Sequence, residues 1–208
     1  MPSATYSVSL AIGGVALQPP PIVRTFDHPN SYETTLPAGK AGTLTTRTDD
    51  DTGEATLGSG HGITTGMIVD VYWSGGRRYG MTVGTVASLV VPLDGGTGDA
   101  FPIATTALVV TPHVNINTAI DGDNISIIGL MLECALDTGA LGHISFFDDG
   151  DAEIAEFDLT RNDPIITDVE GGAANPYTGN PITYARATNS SSTASATLKI
   201  ASGEDSTP

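Results

Sequence analysis

Met67-Ile-Val-Asp-Val-Tyr-Trp73, Ser74-Gly-Gly76 and Tyr79-Gly-Met-Thr-Val83 form the stretch whose reading decides the fold. Met67, Val69, Val71 and Trp73 share one parity. After the Ser-Gly-Gly turn, Tyr79, Met81 and Val83 share it again, so two strands are predicted to bury a common face as a hairpin. Further runs from Val86 to Leu93 and from Thr105 to Val110, each set off by glycine-rich turns, supply the strands to wrap a small antiparallel barrel over Trp73. Upstream, Leu44-Thr-Thr-Arg-Thr48 and Glu54-Ala-Thr-Leu57 read as a second hairpin. The Asp49-Asp-Asp-Thr-Gly53 turn between them gets its geometry from aspartate and glycine. Those three carboxylates do not follow the spacing of a calcium loop, because no acidic residue stands at its closing position.

Working outward toward the N-terminus, Tyr6, Val8, Leu10 and Ile12 alternate with polar or small residues, as expected of a half-buried strand over residues 5 to 12. Pro19-Pro20-Pro21 enforces an extended connection, and the segment to Pro37 reads as an arm carrying Arg24, Phe26, His28, Tyr32 and Glu33. Large side chains on such a segment pack on a neighbour, so Phe26 and Tyr32 are predicted interface residues. Arg77-Arg78, the one basic doublet beside a turn, is predicted to meet an acidic neighbouring subunit.

In the other direction, Thr111-Pro112-His113 marks a boundary. Ile125 to Leu136 is apolar on both parities: β-branched residues favour a strand buried on both faces, while Ile125, Ile128, Leu132 and Leu136 keep a short helix open. Ile144-Ser-Phe146 and Ala152-Glu-Ile154 bracket an Asp-Gly turn at 147–151. Phe157 and Leu159 continue with the opposite parity to Ile154, which predicts a bulge near Ala155. Turn signals then recur at 162–164, 171–172, 175–176, 179–181 and 189–192, the rhythm of a β-sandwich. The expected organisation is therefore all-β: an N-terminal strand and extended arm over 1–38, a small barrel over 39–111, an acidic antiparallel sandwich over 112–201 and a polar tail over 202–208.

The formal charge is −16, from 24 acidic against 8 basic residues. A nucleic-acid groove or a surface for anionic membranes needs clustered lysine and arginine, so neither partner is expected. No run of apolar residues reaches membrane-spanning length, and the N-terminus lacks the features of a secretion signal. Thirteen of the acidic residues fall between Asp121 and Glu170, where Arg161 is the only base. Asp148, Asp149, Asp151, Glu153, Glu156 and Asp158 are predicted to line one acidic face of a hairpin.

Catalytic chemistry needs a nucleophile or metal together with the groups that tune it. Gly58-Ser-Gly-His-Gly62 lacks the lysine of a phosphate loop, and His28, His61, His113 and His143 stand in no zinc spacing, so each is expected in a turn or at the surface. Cys134 sits in an apolar run, as a small buried hydrophobe does. Paired carboxylates on the acidic hairpin are the one hydrolase option, and alternating acids opposite apolar residues are more simply a solvated face. No catalytic residue, cofactor or metal is predicted.

Gly60-His-Gly-Ile-Thr-Thr-Gly66, running into Met67-Ile-Val-Asp-Val-Tyr-Trp73 and a Gly-Gly turn, resembles the small β-barrel module named after the first catalytic cysteine half-domain of ubiquitin-activating enzymes. That module recurs in bacteriophage structural and tail-associated proteins. The likeness runs over residues 58–110 and implies the barrel alone, since nothing here resembles an adenylation site or a catalytic cysteine segment. The acidic, cysteine-poor remainder is similar in style to phage virion proteins. The resulting expectation is a non-enzymatic virion subunit, made in the bacterial cytoplasm, whose partners are copies of itself and other virion proteins. A tail-tube or tail-associated place follows if the acidic face lines a lumen that DNA must pass without sticking; a capsid decoration protein is the alternative. A host- or carbohydrate-binding module would require an exposed aromatic platform, for which Tyr177, Tyr184 and Trp73 are the candidates.

Overall fold

The computed structural model describes residues 4–7, 11–12, 15–16, 23–26, 30–116, 129–147, 150–161, 165–168 and 184–203. Among them the chain is all-β, with a closed six-strand antiparallel barrel and further antiparallel sheets.

Four short strands come first: β1 (Ala4–Ser7), β2 (Ala11–Ile12), β3 (Val15–Ala16) and β4 (Val23–Phe26). β1 pairs with β4 and β2 with β3, and neither pair joins another sheet. The strand expected over 5–12 is thus two strands, with residues 8–10 outside the described residues. β5 (Asn30–Leu36) corrects the expected arm: it pairs along its whole length with the last strand of the chain. The period-2 signal is carried by Tyr32, Thr34 and Leu36, and its buried end is Leu36, at 0 % exposure.

The barrel follows. Its strands are β6 (Lys40–Arg47), β7 (Thr52–Leu57), β8 (Ile68–Trp73), β9 (Gly76–Val83), β10 (Val90–Asp94), the two-residue β11 (Thr97–Gly98) and β12 (Ala107–Pro112). Neighbours run β10-β7-β6-β12-β8-β9, and β9 returns to β10 through Leu93–Val83 and Asp94–Thr82, which closes the cylinder. Leu44, Val69, Val71, Met81, Leu93 and Val110 fill it at 0 % exposure, each such burial stabilising by roughly 1.5–3 kcal/mol relative to exposure. The run expected as a strand from Val86 begins only at Val90, because Ala87 and Val90 close a tight turn with Ser88 at φ 56°.

One parity expectation fails, with a clear cause. Tyr79 does not share the buried face of Met81 and Val83. Gly80 takes φ +67° and the β8–β9 register slips between Val69 and Val71, so a bulge turns Tyr79 to the outside of the barrel and sends Arg78 inward at 9 % exposure. Arg78 then donates to the carbonyls of Gly95, Gly96 and Asp99 and stitches the 94–99 turn to the barrel mouth. Gly96 in that turn has φ +76°, and a Cβ there would lie 2.3 Å from the Tyr79 carbonyl oxygen. Gly96→Ala is therefore expected to destabilise by about 2–3 kcal/mol through combined backbone strain and overlap, measured as a lower urea midpoint with unchanged slope.

The sandwich comprises β13 (Val114–Ile116), β14 (Gly129–Ala135), β15 (Leu141–Phe147), β16 (Glu153–Thr160), β17 (Ile165–Asp168), β18 (Tyr184–Asn189), β19 (Ala196–Gly203) and β5. One sheet runs β13-β18-β15-β16 and the other β17-β14-β19-β5. Leu36, Ile116, Ile144, Phe146, Leu159 and Leu198 pack between them. The open choice for Ile125 to Leu136 resolves as a strand over Gly129–Ala135; residues 125–128 lie outside the described residues. The predicted bulge is present: Phe146 faces Ala155 and Phe147 faces Glu153, leaving Ile154 as the extra residue.

Because β5 precedes the barrel and β13 follows it, the barrel is inserted into the sandwich. The neck is tight. Gly39 N–H donates to the Ser191 carbonyl at 2.8 Å, and Thr111 Oγ1 donates to the Asn189 carbonyl at 2.9 Å.

Candidate functional site

β8 buries both of its faces, and the second face builds the site. Val69 and Val71 point into the barrel; Asp70 and Tyr72, of opposite parity, point out of it and are covered by the sandwich sheet β13-β18-β15-β16. Asp70 is 0 % exposed. A carboxylate can be that deep only if its lone pairs are filled, and Asp70 accepts four hydrogen bonds. Oδ1 takes the Gly80 backbone N–H at 2.9 Å and His113 Nε2 at 2.6 Å. Oδ2 takes His143 Nδ1 at 3.0 Å and the Thr188 hydroxyl at 2.6 Å. Burial alone would raise its pKa, but the hydrogen bonds and charge of His113 and His143 outweigh it and hold the carboxyl well below the usual range.

Proton positions follow from this ionised hub. Thr188 gives its only hydroxyl proton to Asp70, so Tyr72, 2.7 Å away, donates to Thr188 Oγ1. Burial first, then the Asp70 charge, raises the Tyr72 phenol, which keeps it a donor. His113 Nδ1 is buried without a partner among the described residues.

The outer layer latches the same seam. Tyr79, displaced outward by the Gly80 bulge, stacks on His143 with ring centroids 3.7 Å apart and planes 3° from parallel. Its hydroxyl donates to Asp158 Oδ1 at 2.5 Å, and Arg77 forms an ion pair with the same carboxylate. Burial, then the hydrogen bond and charge of Asp158, push the Tyr79 phenol up as well.

The arrangement contains the ingredients of nucleophilic catalysis. Ser145 Oγ lies 3.3 Å from His143 Nε2, and His143 Nδ1 faces Asp70, the hydroxyl–imidazole–carboxylate order of serine hydrolases. Access is what it lacks. Ser145 is 2 % and His143 3 % exposed, β16 and β18 flank β15 on both sides, and Tyr79 covers the imidazole face. An acyl group would have to come within about 3 Å of Oγ, and among the described residues both Ser145 and His143 are buried. As built, the chain of hydrogen bonds holds barrel to sandwich.

The predicted residues are distributed as follows. Asp158 belongs to this seam. Glu156 is exposed, with Oε2 3.6 Å from His143 Nε2, and Glu153 is exposed on the same strand. Asp151 sits in the turn at φ 61° and accepts from the Tyr184 hydroxyl at 2.5 Å; Asp148 and Asp149 lie outside the described residues. Arg77 and Arg78 both have partners within the chain. Phe26 lies in β4 and Tyr32 in β5. Tyr184 stacks on Phe147 at 4.9 Å with Arg186 over both rings, Trp73 packs edge-on against Phe101, and Tyr177 lies outside the described residues. Cys134 is buried, and burial pushes its thiol up to about 11.

The histidine expectation is corrected in part. His61 is a turn residue, accepting from Ile63 N–H at 3.0 Å, but His113 and His143 are buried ligands of one carboxylate; His28 lies outside the described residues. The usable signal was Asp70, a charge in the middle of an apolar strand, and His143, alternating with Ile144 and Phe146 in another.

Compared with known proteins, the chain matches no family model, no curated protein and no solved structure.

Proposed function

We propose that the chain is a non-enzymatic structural subunit of a phage-type particle, assembling with copies of itself in a tail-tube or tail-associated position. The observation that carries this reading is a contrast. The one triad-like cluster of ionisable and hydroxyl side chains among the described residues is walled into an internal seam, whereas strands β1 to β4 pair outside both the barrel and the sandwich and are available to clasp a neighbour. The likeness of residues 58–110 to a module of phage tail-associated proteins supplies the particle. The exposed carboxylates of Asp151, Glu153 and Glu156 supply an acidic lining that repels passing DNA. A capsid decoration protein is the second reading, favoured by the same outlying strands, which would then grip a shell.

Negative-stain microscopy and light scattering test this. Full-length protein is expected as rings, tubes or discrete higher oligomers, and deletion of residues 2–28, which spares β5, is expected to leave a folded β protein that no longer forms them and falls to dimers or monomers. A variant that still forms them removes the clasp. The non-enzymatic half is tested with a fluorophosphonate probe: no adduct is expected on Ser145, and a stoichiometric adduct would overturn it.

A further inference from the structure

Four strands end the two sandwich sheets, β13 and β16 in one and β17 and β5 in the other. An open edge is a template for another chain unless it is short, kinked or charged. β13 has three residues and β17 four. β16 has eight, but it carries the bulge at Ile154 and the acids Glu153, Glu156 and Asp158. β5 has none of these protections. Its seven residues, Asn-Ser-Tyr-Glu-Thr-Thr-Leu, pair with β19 from Leu36 to Asn30 without a register shift, contain no proline or lysine, and carry one charge, Glu33, directly opposite Lys199. Among the described residues no strand pairs with its other side.

The geometry points to this edge as a contact between two copies of the chain: β5 pairs antiparallel with β5 of a second copy about a two-fold axis, joining two four-stranded sheets into one of eight. The inference rests on the assembly reading above and adds to the β1–β4 clasp a second, separate contact. Residues opposite each other in an antiparallel pair lie on the same face. Leu36 belongs to the core and Thr34 is half-buried, while Glu33 and Thr35 are exposed. With both cores on one side, odd positions must therefore face odd positions, and the register centred on Thr34 sets Glu33 opposite Thr35 of the second copy and Thr35 opposite its Glu33, avoiding a like-charge pair. A carboxylate facing a threonine hydroxyl on each side of the axis makes that row self-complementary, and the Thr34–Thr34 pair at the axis favours it.

The test is a charge swap on that row. Ser31→Glu with Thr35→Glu makes every odd position acidic, so carboxylates oppose carboxylates in whichever register the strands choose. Ser31→Lys, Glu33→Gln and Thr35→Lys together make a basic counterpart. By light scattering the wild type is expected as dimers or their multiples, and each variant alone at half the smallest wild-type mass or less. An equimolar mixture is expected to recover a dimer containing one chain of each, identified by native mass spectrometry, which a misfolded strand could not do. If the acidic variant keeps the wild-type mass, or the mixture forms no mixed dimer, the β5 contact is wrong while the assembly reading stands. If the wild type is itself a monomer at every concentration, both fall.

Discussion

Asp70→Ala is expected to lower stability by about 3–5 kcal/mol, the range for removing one partner of a buried charged network. The loss is large because four donors converge on this carboxylate, from Gly80, His113, His143 and Thr188, and all of them are left facing a cavity. Asp70→Asn keeps the shape but turns an amide N–H₂ toward two of those donors, and a smaller cost of about 1–3 kcal/mol is expected. Urea denaturation at neutral pH measures both. Acid supplies a second signature. The folded-state pKa of Asp70 is depressed, so its contribution is present above the unfolded value of 3.8 and is lost as pH falls below it. There the unfolded chain takes up a proton that the folded chain refuses, with a limiting slope of about 1.4 kcal/mol per pH unit. Subtracting the Asp70→Asn curve from the wild type isolates this slope from that of the other carboxylates; parallel curves between pH 4 and 2 would show that the hub carries no such charge.

Phe146→Ala is expected to cost about 3–5 kcal/mol as a large-to-small change in a sealed core. Phe146 is 1 % exposed and packs edge-on against Phe157 at 6.2 Å. Its more informative consequence is read in the other lobe. Trp73 is the only tryptophan and lies on the barrel against Phe101. With the seam intact, the Trp73 fluorescence transition is expected to shift together with the circular dichroism of the whole chain, although the mutation is confined to the sandwich. In an Asp70→Ala background the two transitions are expected to separate. A Trp73 transition unmoved by Phe146→Ala alone would mean that the lobes unfold independently and the seam couples nothing.

What could be read from the sequence, and what could not, divides along physical lines. The barrel and the sandwich were legible because alternation and glycine punctuation are local: Val69 and Val71, the Asp-Gly turn before β16 and the bulge at Ile154 all declare themselves within a few residues. Tyr79 misled because Gly80, read only as a strand residue, reverses the parity of everything before it. The hub was illegible as a site for a different reason. Asp70, His113, His143 and Thr188 are 118 residues apart from first to last, and no spacing rule links positions that a barrel insertion brings together. A buried charge is visible in sequence only as an anomaly, an aspartate between two valines, and the anomaly names no partner.

The neck between the two lobes has a consequence of its own. Lys40 opens the barrel and Pro112 ends it, and Lys40 lies directly across from Val110 in neighbouring strands, so the incoming and outgoing chains are about 5 Å apart. A short loop could bridge that gap, which makes residues 40–112 a cassette that can be lifted from one host sheet and grafted into another without altering the path of either. The hub, the grip of Tyr79 and Arg77 on Asp158 and the Thr111–Asn189 bond tie the cassette to this particular host, so a graft that carries them must find all of their partners waiting.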